Sequence, residues 1–113
     1  MTLFVATMSY ELHPDTPRES QKLLQAELVG RRWQDKSEGI KMPANTVWAR
    51  KRADPSHTTD DVHEACGRDL HEAVAAVARA GRPIQLLRAW VQVSGAGTYG
   101  LVPMAGAAPL ATR

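Results

Sequence analysis

Val62, Cys66, Leu70, Ala73, Val74 and Val77 recur at helical spacing and form a single apolar stripe. Punctuation on both sides fixes its ends. Residues 56–60 offer Ser and Thr as N-caps, Asp60, Asp61 and Glu64 suit the positive end of a helix dipole, and Gly81 then Pro83 end the segment. A one-sided stripe of this length must be buried against another element. A chain of 113 residues, 43% of them hydrophobic, has room for one domain with one core and not for two.

The surfaces available to cover that stripe alternate with the period of a strand. In residues 3–12, Phe4, Ala6, Met8, Tyr10 and Leu12 share one face while Thr7, Ser9 and Glu11 share the other. His13-Pro14-Asp15 is a turn, and Thr16-Pro17-Arg18-Glu19 reads as a capping box with Thr16 at the N-cap. The helix that follows turns Leu23 and Leu24 to the core and ends at Gly30. Residues 33–37 are a poorer strand candidate, Glu38-Gly39 is a turn, and residues 46–52 alternate clearly; together they read as a hairpin with a long connection. Residues 84–93 form the last strand, with Leu87, Ala89, Val91 and Val93 on one face.

The expected order is therefore β-α-β-β-α-β. This is an α+β, ferredoxin-like sandwich, a four-stranded antiparallel sheet with two helices on one face. Residues 1–94 make this domain. Residues 95–113, with Gly or Ala at nine of nineteen positions, form a C-terminal tail, flexible or adding a strand to a dimer partner through Tyr99-Gly100-Leu101-Val102. One sheet face stays uncovered, Trp48 or Trp90 can lie there, and a homodimer is the economical way to shield it.

Composition narrows the setting. The single Cys66 allows no internal disulfide and fits a reducing, cytoplasmic compartment. The apolar start lacks a basic n-region and a cleavage site, and glycines and prolines break the charge-free stretch after residue 89, so no membrane partner is expected. The formal charge is only +2 but is unevenly spread. Arg31, Arg32, Lys36, Lys41, Arg50, Lys51 and Arg52 stand against Asp35 and Glu38, and Asp54, Asp60, Asp61, Glu64, Asp69 and Glu72 then stand against Arg68. A basic stretch with Trp33 and Trp48 among Arg31, Arg32, Lys36, Arg50, Lys51 and Arg52 is the most suggestive constellation, since cations hold phosphates and aromatics stack on bases. The expected partner is RNA or DNA, RNA favoured.

Other chemistry is thinner. Glu11, at the end of the first strand, can act in catalysis or bind Mg2+ only if two copies meet across a dimer axis, because one carboxylate is a poor site for that ion. His57, His63, Cys66 and His71 cluster in sequence, but Cys66 lies on the apolar stripe and the spacing does not fit zinc. Gly95-Ala96-Gly97 has no helix after it and so is no phosphate loop.

Ser9-Tyr10-Glu11-Leu12 closing the first strand, and Gly39-Ile40-Lys41-Met42-Pro43-Ala44-Asn45-Thr46-Val47-Trp48 entering the third, carry a resemblance. Over roughly residues 3–93 the chain resembles the ferredoxin-like group that contains the endoribonuclease antitoxin of type V toxin-antitoxin systems and the CRISPR-associated protein of the integration complex. The resemblance implies homodimerisation through the sheets, nucleic-acid contact and, in some members, metal-dependent cleavage near the end of strand one. The matching position is Glu11, where the integration-complex family has Asp. A non-catalytic protein-interaction or small-ligand-binding subunit using the same sheet face is the alternative.

Overall fold

The computed structural model describes residues 2–95 and Val102. Five strands and two helices follow one another as β1 (Thr2–Leu12), α1 (Arg18–Gly30), β2 (Lys36–Ser37), β3 (Ile40–Lys41), β4 (Thr46–Ala53), α2 (Thr59–Arg79) and β5 (Leu86–Gly95). The class is mixed α+β. β1 is central in a three-stranded antiparallel sheet of order β4-β1-β5, and β2 pairs with β3 in a separate two-stranded sheet.

The alternation in β1 sets the layering. Phe4, Ala6, Met8, Tyr10 and Leu12 are buried in one cluster with Leu24 and Leu28 of α1 and with Val62, Cys66, Leu70, Ala73 and Val77 of α2. Both helices therefore pack on the same face of the sheet. The register carries the pattern across: Ala6 lies beside Ala49 and Val93, and Met8 beside Val47 and Val91. The other parity, Thr7, Ser9 and Glu11 with Trp48, Arg50, Arg88 and Trp90, faces away from the helices.

The four-stranded sheet expected from the sequence is corrected to three strands. Gln34 makes a single bridge to Trp48, Gln34 N–H donating to the Trp48 carbonyl at 2.7 Å and Trp48 N–H to the Gln34 carbonyl at 3.0 Å. The chain then leaves the sheet. Asp35 accepts a hydrogen bond from Gln25 Nε2 (2.7 Å), its carbonyl accepts from Met42 N–H, and residues 36–41 close as their own hairpin. Glu38 and Gly39 both have positive φ (53° and 79°), as a two-residue turn of the type that matches strand twist requires. Residues 33–37 lack the alternation that would hold a strand in register, and Trp33 is drawn into the core.

Helix ends were partly anticipated. α2 starts as expected, with Thr58 and Asp61 in a reciprocal capping box. It ends in a Schellman motif: Gly81 (φ 83°) donates to the Ala78 carbonyl and Arg82 to that of Val77. α1 ends in the same motif two residues past Gly30, with Arg32 N–H on Val29 and Trp33 N–H on Leu28. The left-handed position there is held by Arg32 (φ 74°), a conformation that costs a non-glycine residue about 1 kcal/mol. The capping box expected at Thr16 does not form. α1 begins one residue later, Pro17 occupies the N-cap, and the Thr16 hydroxyl turns back to the His13 carbonyl at 2.6 Å. Along α1 the buried positions are Ser20, Leu24 and Leu28, leaving Leu23 on the flank.

In β5 the expected face holds for Ala89, Val91 and Val93 but not for Leu87. A register shift between Glu11 and Leu12 pairs Leu12 with Leu86, so Leu87 is skipped and is 40% exposed. Apart from Gly95 and Val102, the tail lies outside the described residues. No helix among the described residues is long and apolar enough to cross a membrane.

The capping box makes α2 sensitive to acid. Hydrogen bonds from Thr58 hold the Asp61 carboxyl below the ordinary aspartate value. A lowered folded-state pKa adds stability that is complete above the unfolded value of about 3.9 and is lost as pH falls through the folded one. Urea midpoints of the wild type and Asp61→Asn should therefore differ by a constant amount above about pH 5 and converge toward pH 3. A difference independent of pH would show that the Asp61 charge contributes nothing to the cap.

Candidate nucleic-acid interface

The residues singled out in the sequence separate into two groups because β4 has two faces. Lys51 points to the helices and Trp48, Arg50 and Arg52 point away. On the helix side, Lys51 Nζ lies 2.8 Å from Asp69 Oδ2 and 4.9 Å from the centre of the Trp33 ring. The Trp33 indole N–H donates to the same carboxylate oxygen at 3.0 Å. Trp33 is 1% exposed. It is thus a core side chain whose one polar atom is satisfied by Asp69, with a cation over its ring. Arg31 lies 3.2 Å from Glu72 and 3.9 Å from Glu27. Two members of the basic stretch are accordingly tied to the acidic helix within the same chain.

The second group lies on the face the helices leave alone. Trp48 is only 8% exposed, its indole N–H donates to the Lys36 carbonyl at 2.8 Å, and the Arg50 guanidinium lies 5.8 Å from its ring centre. Trp48 acts here as a platform for Arg50. Arg52 follows on the same face, exposed. The side chain of Arg32 is exposed at the end of α1, and Lys36 is exposed on the β2 hairpin whose carbonyl holds Trp48.

β5 adds two residues that the charge pattern did not flag. Trp90 is 68% exposed, opposite Ser9 across the sheet, and Arg88 stands opposite Glu11. Their signal was the parity of the last strand: if Ala89, Val91 and Val93 face the core, Arg88 and Trp90 face away. Between the tryptophans the surface is polar and small, with Thr7 beside Trp48 and the Ser9 and Thr46 hydroxyls 3.1 Å apart. Two strand spacings, roughly 10 Å, separate β4 from β5. The face thus presents one open indole, hydroxyls, Gln92, the apolar pair Leu3 and Val5, and Arg50, Arg52 and Arg88 against a single acid, Glu11.

Glu11 is held by Arg88, Oε1 to Nε at 2.6 Å. That geometry does not fit a Mg2+ site, because a guanidinium stands where the ion would bind and among the described residues no three His, Cys, Asp or Glu side chains gather to hold a metal. Cys66 is buried and desolvation pushes its thiol up, away from nucleophilic use. His63 and His71 are exposed along a groove between α2 and β5. Compared with family models, curated proteins and solved structures, the chain matches none.

The partition predicts opposite mutational effects. Asp69→Ala leaves a buried indole N–H and a half-buried ammonium without their acceptor and should cost about 1–3 kcal/mol in urea unfolding. Arg52→Gln on the exposed face should stay within about 0.5 kcal/mol. Equal effects of the two would remove the distinction drawn between the faces.

Proposed function

We propose that the chain is a single-stranded nucleic-acid-binding domain, RNA favoured, that uses the helix-free face of its sheet and works as a homodimer. The observation that carries the reading is the open Trp90 on the same sheet face as Arg50, Arg52 and Arg88. Arginines there neutralise phosphates, and an exposed indole offers a stacking surface for any base. On this reading the fold is ferredoxin-like, with its fourth strand reduced to the Gln34–Trp48 bridge. The element order and the neighbours of β1 support it.

Dimerisation is favoured by β5. Among the described residues it pairs with β1 alone, and its ten residues carry one charge, Arg88. A long edge strand of that kind is a template for another strand. Antiparallel pairing of two β5 strands would join two sheets and place two Trp90 side chains on one surface. The same edge also favours the second reading, a non-catalytic protein-interaction subunit. Cleavage at Glu11 is not part of the proposal, given its engagement with Arg88.

Fluorescence anisotropy with a labelled oligouridine at low salt tests the reading. Trp90→Ala should weaken binding by about 1–3 kcal/mol, the worth of one stacked base. Replacing Arg50 and Arg52 by Gln should flatten the salt dependence, by about 0.7 in log–log slope for each lost phosphate contact. Absent binding at about 50 mM salt, or binding indifferent to Trp90, would overturn it. A stable dimer that ignores RNA would point to the second reading.

A further inference from the structure

A cleft of about 310 Å³ opens on the helix side of the sheet, between α1, the end of β1 and the segment leading into β4. It meets the surface assigned to nucleic acid only at Thr46, because Tyr10 and Val47, which line it, have the helix-facing parity. Its volume is at the lower end of small-molecule sites.

The polar groups on its walls are unbalanced. Arg18, Gln21, Lys22 and Gln25 recur at the spacing of one helix face, and Lys41 stands opposite on β3. Among the described residues Arg18, Lys22 and Lys41 form no ion pair, whereas Arg31, Lys51, Arg68, Arg82 and Arg88 each do. Arg18 and Lys22 are like charges four residues apart, an arrangement that is unfavourable in a helix unless an anion offsets it.

The one acid of the cleft and two of its amide donors are already engaged. Asp35, its one acid, takes the hydrogen bond from Gln25 Nε2, and the Gln21 amide donates to the Thr16 carbonyl at 3.0 Å. What remains is chiefly cationic. Beside Arg18, Lys22 and Lys41 stand the Tyr10 hydroxyl and the Asn45 amide, which has no side-chain partner among the described residues. Three positive charges against one carboxylate leave a surplus of two.

We propose that this cleft binds a small phosphomonoester, up to the size of a mononucleotide. A phosphomonoester matches the site in charge. It carries about −1.5 to −2 at neutral pH and offers only acceptors at its phosphate. Met42, Pro43 and Val47 supply apolar wall for the remainder of the molecule.

Isothermal titration of the full chain with inorganic phosphate, 5′-AMP and adenosine tests this. Phosphate and 5′-AMP should bind and adenosine should not. Replacing both Lys22 and Lys41 by Gln should weaken binding at least tenfold, and both are exposed side chains whose loss leaves folding intact. Affinity should fall between about pH 7.5 and pH 5.5 as the phosphate dianion takes up a proton to become the monoanion. Trp90→Ala should leave 5′-AMP binding unchanged, which separates this site from the sheet face. No heat up to about 10 mM phosphate or 5′-AMP, binding that survives the double lysine replacement, equal binding of adenosine, or loss of 5′-AMP binding in Trp90→Ala would each overturn the proposal.

Discussion

β1 is bonded on both edges, and the burial of its even-numbered side chains against both helices is the constraint on which the other features depend. Because successive residues point to opposite faces, fixing Met8 and Tyr10 in the core fixes Thr7, Ser9 and Glu11 outside it. Register then transmits that choice to β4 and β5. Shifting either strand by one residue would bury Arg50 or Trp90 and expose Ala49 or Val91, at the cost of desolvating a guanidinium without a partner. The two-faced character of the domain is therefore a property of the core.

The same division organises the charge. On the helix side Lys51 and Arg31 meet Asp69 and Glu72, so part of the basic stretch and part of the acidic helix neutralise one another across the fold. Arg50, Arg52 and Arg88 stand on the other face with Glu11 alone. A modest net charge of +2 thus hides a compensated cluster of Lys51 and Arg31 with α2 and a predominantly positive sheet face. That asymmetry suits a polyanion on the sheet face.

Where the sequence contains a strict period or a paired stop signal, the fold could be read from it. The alternation of β1, the stripe of α2 and the Thr58 and Gly81 boundaries need only local rules. Leu87 could not be placed, because the bulge that displaces it depends on how β5 meets Glu11 and Leu12. Gly30 does end α1, but the left-handed position of its closing motif falls on Arg32, which could not be read because the motif depends on Trp33 entering the core. For the candidate site, linear charge gathered Trp33 and Lys51 with Arg50 and Arg52, although adjacent residues in a strand occupy opposite faces. Trp90 was expected on the open face but not grouped with the arginines, and Arg88 escaped, because both lie far along the chain and meet the others only across β1.

Amide-resolved NMR of the labelled protein titrated with a short single-stranded RNA is the most direct measurement of which face does the binding. The Trp90 indole and the amides of Thr7, Ser9, Arg50 and Arg88 should move first, while those along α2 stay in place. Shifts confined to the two helices, with Trp90 unmoved, would contradict binding on the sheet face.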